Sequence, residues 1–455
     1  MSLVNSALSA VSTQISILSA GFVAIIRLAA AATANLFGSA GTIQSRLTTA
    51  LTSTAGQRLV FSVLRALAPN VLIQRKLITA YDNCGTAFVT RFDDVKEVLG
   101  RDEDFEVVYG PRMMQITGGQ NFFLGMKNTP EFTRDISNMR LAVRRDDIVS
   151  IIEPIARQRA AELVDASKNG RIDVPQDLTL RTPAHLLKDY FGAPGPSERE
   201  MIDWTTVMFS YLFLDLGADA GLDARALDAA AQCRAYLDAV IQERKMHPTR
   251  SDDVVNRCLA MQATGLPGMD DLGIRNYLIG LIIGAVPTTS QAAVQALDQL
   301  LDRPDALAGA QQAARVNDDA LLRRYIFEAL RFNPPSPIIY RRAARDTEIA
   351  RNTLRALKVP KSTMVMAIPF SAMFDRIKLK DPDCFRIDRP WSDYVLWGDG
   401  LHTCFGAHIN PVLIPAILKP LLARQGLRRA AGSAGQIDAD GTRLPVHLFL
   451  EFDAA

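Results

Sequence analysis

The spacing of apolar residues divides the chain into helical and strand-rich stretches. Residues 146–330 carry apolar positions three and four apart, separated by turns such as FGAPGPSERE, and this spacing predicts a mass of helices. After residue 331, short apolar runs broken by Pro and Asp, as in NPPSPIIYRRAARDTEI, predict short strands. Residues 56–108 mix both patterns, and GTAFVTRFDDVKEVLG predicts a strand followed by a helix. A last helix is expected at about residues 405–426.

Together these patterns predict a mainly α fold with smaller β-sheets, an α+β protein. The chain contains no internal repeat, low-complexity linker or charge block that would separate independent domains. We therefore expect one large helical domain with a β-rich subdomain over residues 56–455. Residues 1–55 form a separate apolar N-terminal helical segment in this interpretation.

The N-terminal segment has the composition of a surface-binding helix. Its first 51 residues contain no acidic residue, and their only charges are Arg27 and Arg46. Arg27 lies at the centre of residues 17–36, the best candidate span, where a charge is costly. No basic residue precedes Arg27, unlike in a secretory signal. We rank an interfacial docking helix first, a weak membrane anchor second and an ordinary amphipathic helix close behind. The sequence leaves three partners open for this segment: lipid, another chain and the protein's own surface.

Composition narrows the class of protein. The 455 residues are 48% apolar and 22% charged, which excludes collagen, a coiled coil and a mainly disordered chain. A net charge of +2 gives no reason to expect nucleic acid as the partner. The five cysteines are scattered and include no C-x-x-C pair, so we expect neither a disulfide framework nor a zinc site, and a reducing, cytoplasmic compartment.

One cysteine lies in a glycine-rich loop, WGDGLHTCFGAHI. Glycines before a cysteine permit a tight turn that directs backbone donors toward the sulfur. A position near the start of the next helix would lower the thiol pKa, which favours the thiolate. A thiolate is a strongly electron-donating ligand for haem iron. The residues of this loop that carry the pattern are Trp397, Gly398, Gly400, His402, Cys404 and Gly406.

This loop resembles the cysteine loop of the cytochrome P450 family, which reads aromatic, Gly, x, Gly, x, His or Arg, x, Cys, x, Gly. Every fixed position is filled, with Trp397 where Phe is usual. The resemblance implies a cytochrome P450-like fold and haem b as the cofactor. It also implies that Cys404 is the iron ligand, and that Trp397, Gly398 and Gly406 belong to the loop that holds the haem.

A second motif follows the family's order along the chain. Glu328 and Arg331 are spaced i, i+3 on a predicted helix, so their side chains share one face and can pair. In isolation such a pair would be an ordinary surface ion pair. Because NPP follows it and the cysteine loop lies downstream, it resembles the family's E-x-x-R helix, with Arg389 as the expected third member of that core.

Two further residues match positions that orient the haem in this family. Arg341, in RRAARDTEI, stands where an Arg pairs with one haem propionate, and His402 resembles the donor to the other. Fixed donors beside the propionates would compensate the burial of their charge. The alternatives are a solvated strand-edge cation for Arg341 and an ordinary turn histidine for His402.

The helix predicted in DDLGIRNYLIGLIIGAVPTTSQAAVQALDQLLDR resembles the one that crosses the distal haem face. Its centre departs from the family, because Pro287 replaces the usual acid before Thr288 and Thr289. The proline should kink the helix or fix a local opening, and it removes a carboxylate that supplies protons during dioxygen activation. Thr288 is the best candidate for proton handling. A hydroxyl bonded back to the preceding turn is the alternative, more for Thr289 than for Thr288.

A second departure concerns a propionate donor. Where the family commonly has a His and an Arg on an earlier helix, this chain has Phe132 and Ile136, and neither can donate. For the substrate pocket only apolar candidates can be named, each more often plain core than contact. These candidates are Phe122, Phe123, Ala285, Pro287, Ile338 and Ile339.

The resulting hypothesis is a haem-thiolate monooxygenase that acts on a lipophilic small molecule. Because no flavin or iron-sulfur motif was found, electrons are expected from a separate ferredoxin or flavin reductase, which would approach Arg323, Arg324, Arg386 and Arg389. Pro287 and the apolar N-terminus favour an alternative that uses peroxide, either a peroxygenase or an isomerase or dehydratase of a lipid hydroperoxide. A third interpretation is a haem-binding sensor or carrier without turnover.

Overall fold

The computed structural model describes residues 2–36, 53–167, 169–440 and 442–453. The chain divides into two compact units, each made of several stretches of sequence. The first unit contains residues 1–78, 82–106 and 336–403, and the second contains residues 79–81, 107–335 and 404–455. Residues 37–52, which precede the predicted boundary at residue 55, lie outside the described residues. The predicted single domain over residues 56–455 stays a prediction.

The first unit is built on a five-stranded mixed sheet of order β1-β2-β8-β5-β3, beside a two-stranded pair β6-β7. Its helices are α1 (Ser2–Leu36), α2 (Thr54–Leu67), α3 (Phe92–Gly100) and α14 (Pro369–Ala372). Its strands are β1 (Asn70–Ile73), β2 (Thr86–Val89), β3 (Phe105–Glu106), β5 (Ile339–Ala343), β6 (Thr347–Ile349), β7 (Leu357–Val359) and β8 (Met364–Ala367). The strand and helix predicted from GTAFVTRFDDVKEVLG are β2 and α3.

The second unit is mostly helical and carries a three-stranded sheet of order β4-β10-β9. Its helices are α4 (Gly110–Thr117), α5 (Pro130–Ala142), α6 (Glu153–Ala166), α7 (Arg181–Asp189), α8 (Glu198–Phe209), α9 (Ala220–Met246), α10 (Val254–Ala263), α11 (Asp271–Leu301), α12 (Pro304–Arg315), α13 (Asp319–Phe332) and α15 (Asn410–Leu422). Its strands are β4 (Arg171–Asp173), β9 (Arg428–Arg429) and β10 (Phe449–Glu451). The predicted mainly α fold with smaller sheets is confirmed.

Helix α11 forms the centre of the second unit. The Asp270 carboxylate accepts a hydrogen bond from the Gly273 amide, which caps the helix where the sequence predicted its start. Most of its side chains are buried, as expected for a core helix. Among the residues that the structure describes, two helices, α11 and the stretch Ser12–Ala31 of α1, are long and apolar enough to cross a membrane, but α11 is largely covered by protein.

The predicted pair on α13 is a core interaction of the second unit. Glu328 and Arg331 are both 0% exposed. The Arg331 Nη2 and Nε atoms donate to the two Glu328 oxygens at 2.7 and 3.0 Å, a two-point geometry that leaves both carboxylate oxygens engaged. The alternative of an ordinary surface ion pair is therefore wrong.

Because removing one partner of a buried ion pair leaves an uncompensated charge, Glu328→Gln should lower the free energy of unfolding by about 3–5 kcal/mol. The matched control is Asp203→Asn, which breaks the exposed Arg199–Asp203 pair of α8 and should cost less than about 1 kcal/mol. Urea unfolding followed by circular dichroism measures both values. Equal losses in the two variants would contradict a core role for Glu328.

In the first unit, the segment before Cys404 is fixed against the end of α3. Gly398 and Gly400 have φ of 75° and 74°, the left-handed region that glycine adopts without strain. A Cβ on Gly400 would lie 2.5 Å from the Leu99 carbonyl oxygen and 3.0 Å from Gly100 Cα. Both the backbone angle and the close approach to α3 therefore require glycine at position 400.

Gly400→Ala should destabilise the protein through both effects. The left-handed conformation alone costs about 1–2 kcal/mol for an alanine, and the clash should add about 1–3 kcal/mol. Gly432→Ala separates the two, because Gly432 has φ of 69° but an added Cβ would meet nothing within 4 Å. Unfolding curves should rank Gly400→Ala below Gly432→Ala, and identical curves would remove the argument from close approach.

Candidate active site

The second unit presents the Cys404 sulfur at the start of a short turn. Cys404 is accessible to solvent and precedes the 3-10 turn Phe405–Ala407. The surrounding protein atoms raise the pKa of the Cys404 thiol by desolvation, and a hydrogen bond from the Gly406 backbone N–H opposes that shift. A sulfur with a backbone donor directed at it suits an anionic ligand to a metal.

The helix expected from about residue 405 begins later than predicted. The 3-10 turn comes first, and α15 begins only at Asn410, with Pro411 in its first turn where a missing amide costs nothing. Pro415 and Pro420 lie inside the helix, which ends at Leu422 rather than near Gly426. The donor closest to the sulfur is therefore a turn amide and not the end of a long helix.

A row of aromatic rings connects this turn to α11. The Phe405 and Phe123 ring centroids are 5.9 Å apart, and those of Phe123 and Phe122 are 3.9 Å apart. A Cβ on Gly280 of α11 would overlap the Phe122 ring. Both Phe122 and Phe123 are buried among protein atoms, so they fix the spacing between the turn and α11. Their predicted contact with substrate stays a prediction.

One short stretch of α11 is open while its neighbours are buried. Gly284 is exposed, and Ala285 and Thr288 are half-buried. A Cβ on Gly284 would meet nothing within 4 Å. Residues 284 and 288 are one helical turn apart and share a face with 285, so the middle of the helix faces an open space there.

Pro287 lies within this stretch without interrupting α11, which is continuous from Asp271 to Leu301. Its side chain is buried, and it has no backbone N–H to donate to the Ile283 carbonyl. The Thr288 hydroxyl donates to the Gly284 carbonyl, and Thr289 is buried. Back-bonding was expected more for Thr289, so that prediction was wrong: Thr288 makes the bond at the open face.

The first unit brings the predicted propionate donors near a carboxylate that the sequence did not reveal. Arg341, on β5, is 3% exposed, and its Nη1 donates to the Tyr340 carbonyl at 3.1 Å. The buried His402 Nε2 lies 3.7 Å from an Asp102 carboxylate oxygen. Burial, and then the Arg341 charge, lower the pKa of His402 to about 4, so the imidazole is neutral at pH 7. Both alternatives, a solvated Arg341 and an ordinary turn histidine, are disfavoured by this burial.

Asp102 follows α3 and holds the segment that leads to the cysteine. Its carboxylate accepts a hydrogen bond from the Leu401 backbone N–H, while burial raises its pKa against the opposing charge of Arg341. No motif marks Asp102, because its partners lie some three hundred positions along the chain.

The remaining predicted residues of the first unit are fixed by packing or hydrogen bonds, or are partly buried. Trp397 stacks on Trp391 with ring centroids 5.4 Å apart, and the Ile339 Cδ1 atom lies 3.4 Å from where a Gly398 Cβ would be. Ile338 and Ile339 are half-buried. Arg389 donates to the Lys380, Asp381 and Cys384 carbonyls at 2.8, 2.7 and 3.1 Å, and its role in the E-x-x-R core stays a prediction.

The donor set in each unit suits an iron porphyrin. The second unit supplies a thiol with a backbone donor, and a helix on which Gly284 has no protein atom near its side-chain position. The first unit supplies a buried guanidinium and a neutral imidazole, which are partners for buried carboxylates. Phe132 and Ile136, which replace the family's other donors, are both buried.

Comparison with known proteins agrees with the assignment of these residues to a haem site. The cytochrome P450 family model matches residues 80–422. The steroid C26-monooxygenase of Mycolicibacterium smegmatis is 26% identical over 355 residues, 78% of this chain and 84% of the relative. The erythromycin C-12 hydroxylase of Saccharopolyspora erythraea is 25% identical over 280 residues, 61% of this chain and 67% of the relative.

Solved structures agree on the fold. Cytochrome P450 CYP109Q5 from Chondromyces apiculatus is 22% identical, with a TM-score of 0.71 over 88% of this chain and 96% of that one. Members of the family bind haem b through a cysteine thiolate, and the matched relatives include monooxygenases. The family model covers most of the chain and includes the cysteine turn, so the protein belongs to the cytochrome P450 family and is an oxidoreductase of the monooxygenase type.

Proposed function

We propose that the protein inserts one oxygen atom from dioxygen into a lipophilic small molecule, with electrons from a separate redox partner. The observation that carries this proposal is the Cys404 thiol, which lies in an exposed residue and is hydrogen-bonded by the Gly406 amide. Cys404 would hold the haem iron, and Arg341 and His402 would receive the propionates. When bound, the haem supplies the redox chemistry that activates oxygen.

The open stretch of α11 supports an apolar substrate. Gly284 and Ala285 present backbone and a methyl group there, and Pro287 adds no polar side chain. The names of the matched relatives refer to a steroid and to erythromycin, both small molecules with large apolar surfaces. Ala285, Ile338 and Ile339 are the residues that we expect to select among such substrates, whereas Pro287, which was also predicted for this role, has its side chain buried in protein.

Thr288 is the proposed residue for proton handling. Its hydroxyl donates to the Gly284 carbonyl and sits on the open face of α11, so its oxygen can accept a proton-donating water. Pro287 provides no carboxyl group, and therefore the protons must come from water in the open space rather than from a neighbouring side chain. Thr289, which is buried, is the weaker catalytic candidate.

The same proline favours a second candidate function. An enzyme that takes its oxygen atom from a hydroperoxide, or rearranges a lipid hydroperoxide, starts from an existing O–O bond and does not need the missing acid. Thr288 would then order water without supplying protons for oxygen activation.

The redox partner is expected to be a ferredoxin or a flavin reductase in the cytoplasm. Arg323 and Arg324 are exposed on α13 and suit an acidic partner. Arg386, also predicted for this surface, pairs with Asp381 and Asp388, which leaves it little excess charge. Its predicted contribution to partner binding is therefore weaker than that of the two α13 residues.

Turnover assays separate the two candidate functions. Purified protein with a lipophilic substrate should form hydroxylated product with NAD(P)H, a surrogate ferredoxin system and dioxygen, and not with peroxide alone. Thr288→Val should lower product formed per electron consumed by about 10²-fold, the size of a general acid–base contribution, while Thr288→Ser keeps the hydroxyl and most of the coupling. Turnover with peroxide alone, unaffected by Thr288→Val, would establish the second candidate instead.

Carbon monoxide tests the ligand assignment directly. The reduced protein should give a thiolate-type Soret band with carbon monoxide, because Cys404 is the proposed axial ligand. Cys404→Ser should lose that band, whereas Cys384→Ser, which changes another exposed cysteine, should keep it. A thiolate-type band that survives in Cys404→Ser would assign the ligand elsewhere.

A further inference from the structure

A groove in the first unit lies outside every residue assigned above. It has a volume of about 820 Å³ and runs between α1, α2 and the segment that begins with α14. Binding sites for small molecules commonly occupy about 300–1,000 Å³. Its walls are largely apolar and consist of Ala20, Val23, Ala24, Leu59, Phe61, Phe370 and Phe374.

The charged residues that line the groove are mainly arginines. Arg27, Arg58 and Arg376 line it together with one carboxylate, Asp383, so this group carries an excess of positive charge. The Arg58 Nη2 atom lies 3.3 Å from Asp383 Oδ1, and the Arg58 Cζ atom lies 4.4 Å from the Phe374 ring centroid. The guanidinium is thus packed against the apolar wall. Arg376 also pairs with Asp383. One carboxylate is thus shared by two of the three guanidinium groups.

A fourth arginine, Arg65, also lines the groove but is engaged by protein groups. Its Nη1 donates to the Ser371 carbonyl and hydroxyl at 2.9 and 2.8 Å, and burial lowers the pKa of Arg65 to about 10. These bonds tie α2 to α14. Buried hydrogen bonds therefore fix two of the elements that border the groove. Because Arg65 makes these bonds, its guanidinium is not proposed as a ligand-binding group.

Helix α1 has one covered face and one apolar face that protein leaves exposed. Ile17, Gly21 and Ala24 are buried, and a Cβ on Gly21 would lie 2.5 Å from the Ala66 Cβ of α2. The outward side chains are 42–65% exposed although they are large and apolar, a patch that a helix in water would normally cover. They are Ile15, Leu18, Phe22, Ile25 and Ile26.

We propose that this face of α1 lies in the headgroup layer of an anionic phospholipid bilayer, with a lipid phosphate bound by Arg27, Arg58 and Arg376. An apolar helical face inserted along the interface, with cations beside it, is how amphipathic helices bind anionic membranes. Guanidinium groups bind phosphate at two points, and the apolar wall receives the start of the acyl chain. The helix lies in the plane of the membrane because its opposite face is packed on α2.

A second copy of the chain is a poorer occupant. A two-fold contact through this face would bring the same arginine-rich groove of both copies together, and like charges across an interface are unfavourable. A spanning α1 would have to leave α2, on which Gly21 is closely packed, and would expose the buried Ile17 and Ala24 side chains. Neither problem arises for a helix lying on an anionic surface.

Vesicle sedimentation of the full-length, haem-loaded protein tests the proposal. Binding should be strong to an equal mixture of phosphatidylcholine and phosphatidylglycerol, weak to phosphatidylcholine alone, and reduced by high salt. Arg27→Gln should weaken binding about fivefold, the effect of one cation near the surface, and Phe22→Ser with Ile26→Ser should weaken it at least about tenfold.

Matched controls come from a surface loop of the same unit. Arg351→Gln and Leu354→Ser change an exposed cation and an exposed apolar residue away from the groove, and both should bind as the unaltered protein does. All of these variants should show the same carbon monoxide spectrum as the unaltered protein. This result would separate the membrane test from the haem assignment.

Three results would overturn the proposal. Equal binding to neutral and anionic vesicles would remove the phosphate site, and protein that resists extraction by alkaline carbonate would establish a spanning helix. A concentration-dependent dimer in light scattering, abolished by Phe22→Ser with Ile26→Ser and accompanied by no vesicle binding, would assign the face to a second copy.

Discussion

An anionic sulfur inside a protein requires a backbone that supplies donors, and this requirement shapes the segment around Cys404. Protein atoms around the thiol oppose its ionisation, and the Gly406 amide offsets part of that effect. The preceding backbone turns through Gly398 and Gly400 in conformations that side chains resist. Because Gly400 is pressed against the end of α3 and the Leu401 amide donates to the Asp102 carboxylate, the segment before Cys404 is fixed within the first unit.

Helix α11 meets a different requirement, since it must be a core helix and also border an open space. Most of its length is buried, and small residues occupy the stretch that is not. Pro287 fits this stretch without breaking the helix, while the Thr288 hydroxyl satisfies the Gly284 carbonyl beside it. The proline that makes the sequence unusual thus alters the chemistry available on α11 more than its shape.

Local patterns predicted the features that depend on neighbouring residues. The i, i+3 spacing gave the Glu328–Arg331 pair, and the glycine spacing gave the turn before Cys404. Asp102 and the packing of Phe122 on Gly280 escaped prediction because each joins residues far apart in the chain. The start of α15 was misplaced because a 3-10 turn and an α-helix share the same apolar spacing over three or four residues.

A buried charge can be predicted from sequence only when its partner is close to it in the chain. Arg331 and Arg341 are both nearly inaccessible, but only the first has its partner one helical turn away, where sequence can reveal it. The environment of Arg341 includes Asp102 and the neutral His402, and this grouping exists only after the strands have assembled. Sequence therefore indicates the identity of such residues, and the fold decides which groups surround them.

The absence of packed protein atoms around the Gly284 side-chain position has a consequence for how this scaffold can diversify. Elsewhere on α11 a larger side chain would collide with packed neighbours, as at Gly280, whereas at position 284 an extra methyl group meets no protein atom. Substitutions there change the volume offered to a bound molecule at little cost in folding. Position 284 of α11 is thus a place where selectivity can drift without loss of the native state.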